Sequence, residues 1–161
     1  MTLQEIQDHL EITQVLQRYA KALDNKRFDL LRTVFTADAR LVYVIGAQRI
    51  EASMPDAEQT LFRRFLTKCY WTAHLVSAPL IELQGDVAHA ASRAIATHMQ
   101  IREDGSRNIW IVSGGYEDDF VRTAEGWRIR QRVTNAPWEQ GVFLAEGVRE
   151  FQGAPPVGSV V

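Results

Sequence analysis

The back half of this chain is punctuated by turns at nearly even intervals, and that spacing restricts the fold more than any other feature. Between Tyr70 and about Trp138, the groups Gln84-Gly85-Asp86, Asp104-Gly105 and Glu125-Gly126 separate four segments rich in strand formers, at about 72–83, 87–101, 108–122 and 127–136. Asp-Gly between apolar-alternating runs is a strong short hairpin signal. Gaps this short join antiparallel neighbours, because a parallel crossover needs a dozen or more residues. The front of the chain has the other period. Ile6, Leu10, Ile12, Val15, Leu16, Tyr19 and Leu23 recur at three- and four-residue steps, which predicts one amphipathic helix ending near Asp24-Asn25. Its start, Thr2-Leu3-Gln4-Glu5, fits a capping box. A short second helix carries Phe28, Leu31 and Phe35. The strand formers Leu41-Val42-Tyr43-Val44-Ile45 end at Gly46. A third helix starts near Ser53-Met54-Pro55-Asp56 and carries Leu61, Phe62, Phe65, Leu66 and Cys69.

Helices first and strands after is the α+β order. The expected architecture is a set of N-terminal helices packed in a curled antiparallel sheet that forms a cone with an internal pocket. Residues 1–138 make the domain. Residues 139–161 form a C-terminal segment that is either a lid over the cone or a loose tail, the latter suggested by the linker composition of Gln152-Gly153-Ala154-Pro155-Pro156-Val157-Gly158. A length of 161 residues suits one such domain.

Composition narrows the function classes. The net charge of −2 lacks the basic surplus that nucleic acid demands. Cys69 is the single cysteine, so neither an internal disulfide nor a cysteine zinc cage is expected. No apolar run approaches the ~18 residues of a membrane span, and Met1-Thr2-Leu3-Gln4-Glu5 does not read as a signal peptide, which suggests the cytoplasm. No phosphate-cradling glycine loop or nucleophile elbow is present, and His89 and His98 are too far apart in sequence to suggest a metal pair. No cofactor and no metal are expected.

Two residues stand out. His74 lies in Tyr70-Trp71-Thr72-Ala73-His74-Leu75-Val76, where alternation shares its face with Thr72, Val76 and Ala78. A buried imidazole needs a partner, since an unpaired one costs roughly 1–3 kcal/mol. A backbone carbonyl would satisfy it and leave a core histidine. Asp24 ends the first apolar stripe and would serve equally as the cap of the second helix. If the two meet, the carboxylate fixes the imidazole tautomer and raises its basicity, and the pair becomes a general base. Gly114-Gly115 falls inside a strand and marks a bulge or a close packing contact. Arg128, Arg130 and Arg132 alternate on the last strand as an outer row, opposite Ile129 and Val133. Of the tryptophans, Trp110 and Trp138 are candidates to line a pocket for a flat or alicyclic ligand.

Three stretches carry a family likeness. These are Arg18-Tyr19-Ala20-Lys21-Ala22-Leu23-Asp24, Ala73-His74-Leu75-Val76-Ser77-Ala78-Pro79-Leu80-Ile81-Glu82, and Gly115-Tyr116-Glu117-Asp118-Asp119-Phe120-Val121-Arg122 with Gly126-Trp127-Arg128-Ile129. Over about residues 3–138 the chain resembles the SnoaL-like proteins, a group that includes scytalone dehydratase and the hexachlorocyclohexane dehydrochlorinase and shares the cone of ketosteroid isomerase. The resemblance implies that Asp24 and His74 act as a catalytic pair. It further implies a substrate-facing role for Tyr43 on the strand before the third helix, and for His98 as a second histidine. Where dehydrochlorinase-like members carry a lysine one turn before the Asp, this chain has Tyr19; for their arginine late on the last strand, the nearest match is Asn135. Neutral donors such as Tyr19, Tyr43 and Asn135 suit an alcohol, enol or carbonyl oxygen better than a halide.

The resulting expectation is a cofactor-independent lyase of the dehydratase type, or an isomerase, acting on a small apolar cyclic hydroxy or keto compound. Asp24, His74 and Tyr43 would be catalytic, and Tyr19, His98, Trp110 and Asn135 would hold the substrate. The alternative is a non-catalytic ligand-binding module, or the small subunit of a larger oxygenase-type assembly. The segment 87–101 is apolar or small on both faces, so burial on both sides and packing of sheet against sheet in a homo-oligomer, a trimer or a dimer, are expected.

Overall fold

The computed structural model describes residues 1–156. Helix α1 spans Leu3–Asp24. The Thr2 hydroxyl accepts the Glu5 N–H at 3.1 Å, and the Glu5 carboxylate accepts the Thr2 N–H at 2.6 Å, so the capping box closes as the sequence predicts. A single 3₁₀ stretch, Phe28–Thr33, turns the chain into β1, Phe35–Ile45, and β2, Gln48–Ser53. A wide π-type turn, Glu58–Arg63, runs into the short α2, Arg64–Leu66. The strands then follow: β3 Trp71–Val76, β4 Leu80–Gln84, β5 Val87–Ile101, β6 Arg107–Thr123 and β7 Gly126–Gln140. The expected segment 72–83 is thus two strands, broken around Ser77-Ala78-Pro79, and both halves pair with β5.

The sheet order is β2-β1-β7-β6-β5-β3, with β4 beside β5. The meander is antiparallel throughout, but β1 joins β7 in parallel, so the sheet is mixed. The chain between β1 and β7 holds all the other strands and α2, ample for a parallel crossover. The helices pack inside the curl. Ile12, Leu16, Tyr19 and Leu23 of α1 meet Phe28, Phe35, Leu41, Phe62, Phe120 and Ile129 in one buried core.

Two bulges decide which residues of β7 face inward. Asp119 pairs with Gln131 and Phe120 with Ile129, so Arg130 is an extra residue. Before it, Trp127 and Ile129 are buried; after it, the buried set is Arg132, Thr134 and Ala136. One inserted residue reverses the parity of a period-2 element. The outer arginine row expected for Arg128, Arg130 and Arg132 is therefore corrected: Arg130 is exposed, Arg128 is buried, and Arg132 is fully buried inside the cone. The second bulge lies opposite Gly114, where Ser113 pairs with Trp138 and Gly115 with Asn135. A Cβ on Gly114 would stand 2.0 Å from the Asn135 carbonyl oxygen, so no other residue fits there.

On β5 the even positions from Ala88 to Gln100 point into the cone, whereas Val87 and Ile95 on the other face are exposed in the single chain.

The narrow end of the cone is tied by Asp8 of α1. Its carboxylate takes two 2.7 Å hydrogen bonds from the Arg122 guanidinium and one of 3.1 Å from the Trp127 indole N–H. Arg122 also lies 4.5 Å over the Trp127 ring. These donors, Arg122 above all, hold the Asp8 carboxyl well below the usual range. A depressed carboxyl stabilises the fold above its unfolded value, near 4, and loses that contribution as pH falls through the folded value. Asp8→Asn should therefore unfold at lower denaturant than wild type at pH 7. The gap should narrow as pH drops below about 4, as read by urea titrations at both pH values.

Candidate active site

A row of small inward residues makes room inside the cone. Ala94 and Gly114 pair across β5 and β6, and Ala136 of β7 pairs with Ile45 of β1. Ala96, Ala136 and Ile45 are among the residues that bound a cavity of about 350 Å³, within the range for small-molecule sites. One wall above them is formed by His74 of β3 in register with Ala96 of β5 and Val112 of β6, and by His98 in register with Trp110. Phe62, Phe65 and Leu66, from the α2 region, supply an apolar opposite wall.

Asp24 at the C-terminus of α1 reaches this wall. Its Oδ1 accepts the His74 Nδ1–H at 2.6 Å and the Thr72 hydroxyl at 2.9 Å, while Oδ2 accepts the His74 backbone N–H at 3.0 Å. The alternative roles, a helix cap for Asp24 and a carbonyl partner for His74, are not those seen. Burial raises the Asp24 carboxyl, but the hydrogen bonds and charge of His74, with the Thr72 hydroxyl, outweigh it and leave the group below its ordinary value. The carboxylate can only accept, so Nδ1 of His74 carries a proton, and in the neutral ring the free acceptor is Nε2. His74 lines the cavity.

His98 crosses His74 edge to face, with ring centroids 5.5 Å apart. Its Nδ1 donates to the Trp110 carbonyl at 3.3 Å, which leaves Nε2 an acceptor. Burial, with His74 beside it, pushes its pKa down to about 3, so the ring is neutral at physiological pH. Trp110 lies 4.6 Å from His98, and its indole N–H donates to Glu139 at 2.9 Å.

The floor is made of tyrosines. The hydroxyls of Tyr19 and Tyr43 are 2.8 Å apart. Burial raises both phenols, so both stay protonated at neutral pH. Two hydroxyls hold two protons and use one between themselves, which leaves one to donate to a ligand. Below them, Arg132 makes a bidentate pair with Asp118, both contacts 2.7 Å and both side chains fully buried. The guanidinium lies 4.1 Å from the Tyr19 ring centre and 4.0 Å from that of Tyr116, so a cation braces the floor through two ring faces.

Of the residues singled out from sequence, Asp24, His74, Tyr43, Tyr19, His98 and Trp110 come together around this one space. Asn135 does not: the bulge at Arg130 turns it to the exposed outer face, and its neighbour Thr134 lines the cavity instead. Trp138 is exposed as well. Thr134 and Arg132 were missed for the same reason, whereas Tyr116 lies on β6, away from that bulge. The only hint of the parity change was the consecutive polar pair Arg130-Gln131 between Ile129 and Arg132. From the C-terminal segment, Gly141, Val142, Phe143 and Ala145 line the cavity. Phe143 packs on Phe65 and Trp110, and Gln100 exchanges two 2.9 Å hydrogen bonds with the Leu144 backbone. Further on, Phe151 N–H donates to the Thr67 carbonyl at 2.7 Å and its ring packs on Tyr70. The last residues of the expected loose tail, 157–161, lie outside the described residues. Among the described residues, no group of three or more His, Cys, Asp or Glu side chains is placed to hold a metal ion, and no helix is long and apolar enough to cross a membrane.

The SnoaL-like domain matches residues 4–133, and the chain belongs to that family. An uncharacterised protein of Mycobacterium tuberculosis is 36% identical over 134 residues, spanning 83% of this chain and 88% of its own. Among solved structures, a Kribbella flavida protein superposes with a TM-score of 0.75 at 27% identity, over 84% of this chain and 95% of that one. A candidate scytalone dehydratase from Novosphingobium aromaticivorans also reaches 0.75, at 20% identity, over the full length of both chains.

Proposed function

We propose that the chain is a lyase of the dehydratase type, with double-bond isomerisation as the related reaction, acting on a small, largely apolar cyclic hydroxy or keto compound. The observation that carries this reading is the 2.6 Å contact between Asp24 and His74 on the wall of an open cavity of about 350 Å³. A structural subunit needs no such space. His74 Nε2 removes a proton from the carbon beside the ligand carbonyl. Asp24 holds the ring and stabilises the imidazolium. Tyr43, backed by Tyr19, donates to the oxygen that becomes the enolate. In elimination, the enolate collapses, the carbon–oxygen bond breaks, and the proton held by His74 leaves with the hydroxyl as water. In isomerisation, the same proton returns to a different carbon.

Both reactions share the first step, so the test is proton exchange. Cyclic ketones and hydroxyketones incubated with the protein in D₂O should lose α-proton signal by NMR, and hydroxyketones should also gain the ultraviolet absorbance of a conjugated enone. No exchange with any ring small enough for the cavity would remove the lyase reading.

The same proposal has the chain assemble with copies of itself. Trp71, Leu75, Ile95 and Ile109 are exposed together on the outer face of β3, β5 and β6, and apolar surface of this kind favours being covered. Light scattering should return a mass of two or three chains; a monomer at micromolar concentration would refute this.

A further inference from the structure

One hydroxyl on the cavity floor has no partner. Thr134 stands between Tyr43 of β1 and Tyr116 of β6 in sheet register. It lines the cavity and is 7% exposed, yet its Oγ1 makes no hydrogen bond among the described residues. The Tyr43 hydroxyl beside it is already engaged with Tyr19. A buried hydroxyl without a partner destabilises a fold, and valine has the same shape without that cost. The position therefore carries a polar group that folding does not need.

Charge on the floor excludes an anion as the partner. Among the described residues the floor's cation is Arg132, which is neutralised by the bidentate contact with Asp118, and the ionised Asp24 stands on the adjoining wall. What remains is a neutral oxygen. The Tyr19–Tyr43 pair offers one donated proton, and Thr134 offers a second from the neighbouring strand β7. Two donors on separate strands suit two separate oxygens on one ring.

We propose that Thr134, flanked by Tyr43 and Tyr116, is a second oxygen subsite, so that the substrate is a ring bearing two neutral oxygen functions on the edge that faces the floor. This rests on the reading of the cavity as the substrate site. It goes beyond that reading because it assigns specificity to a residue outside the reacting set.

Ser92 provides the control. It continues the same row, pairing in register with Tyr116. Its Oγ is also buried and without a partner, but the residue does not line the cavity. The experiment measures the affinities of resorcinol and phenol by calorimetry at pH 7, where both are neutral and neither can undergo elimination. Thr134→Val should lower the resorcinol-to-phenol affinity ratio about tenfold, the effect of losing one hydrogen bond in a dry site. Thr134→Ser should keep the ratio, and Ser92→Ala should leave it unchanged. Thr134→Val and Ser92→Ala should both raise the melting midpoint, on the order of 2–4 °C. An unchanged ratio in Thr134→Val, a lowered melting midpoint in that variant, or no measurable resorcinol binding to wild type would each overturn the subsite. These binding ratios are independent of turnover. Proton exchange without the Thr134 effect sinks the subsite alone, and the Thr134 effect without proton exchange sinks the lyase reading alone.

Discussion

Replacing His74 by alanine should abolish α-proton exchange, lowering its rate by roughly 10²–10⁴-fold, the ordinary contribution of a positioned general base. Asp24→Asn should cost a comparable factor. An amide oxygen still accepts the Nδ1–H, but it lacks the charge that stabilises the imidazolium, and its NH₂ end would select the wrong tautomer. Neither variant should unfold the chain. In His74→Ala the carboxylate of Asp24 keeps the Thr72 hydroxyl and the backbone N–H of residue 74. Binding offers the internal check: affinity for resorcinol should change little in either variant, because the dyad acts on the wall and recognition is on the floor. A His74→Ala protein that still exchanged at the wild-type rate would assign the base elsewhere. A loss of binding equal to the loss of rate would show the pair to be structural.

The largest stability effect should come from the base of the cone. Arg132→Met strands the Asp118 carboxylate in a site with no solvent exposure. Removing one member of a buried pair typically costs 3–5 kcal/mol, about 10 °C or more of melting midpoint for a chain of this length. Removing both should cost much less. Asp118→Leu with Arg132→Met leaves no charge to desolvate, so the double variant should recover most of the loss. The pH dependence has a definite sign. Burial raises the Asp118 carboxyl, and Arg132 partly offsets it. Without Arg132 the value rises further, so the single variant is penalised above the unfolded value of about 4 and relieved as the carboxyl takes up a proton. Urea midpoints of Arg132→Met should move toward wild type between pH 7 and pH 5, while the double variant should show no such trend. The double variant should still disturb the floor, since Tyr19 and Tyr116 both rest on the guanidinium. A weaker preference for resorcinol is the expected readout.

Much of the fold was legible because its signals are local. The stripe from Ile12 to Leu23, the Thr2–Glu5 box and the glycine turns at 85, 105 and 126 depend on residues close in sequence, and each element stands where its period places it. Glycine is needed at those turns, since Gly85, Gly105 and Gly126 all have positive φ. His74 was recognisable as an imidazole among large apolar groups that had to find a partner. Residue chemistry left that partner open between a carbonyl and Asp24, and only the family likeness pointed to Asp24.

The inward set of β7 was not legible, and with it half of the floor. Strand alternation is a local rule that a single bulge inverts, and the bulge at Arg130 is set by pairing with Asp119 and Phe120 across a hairpin. Nothing in the period distinguishes Arg132 from Arg130, yet one is sealed under the tyrosines and the other is exposed. The same holds for Asn135 and Thr134, which exchanged places. The order of helices and strands, the turns and the chemistry of each side chain follow from forces acting within a few residues. The meeting of Asp24 with His74, the cavity lined by Ala96 and Ala136, and the burial of Arg132 depend on strands aligned across the curl of the sheet, where a shift of one residue turns every side chain to the opposite face.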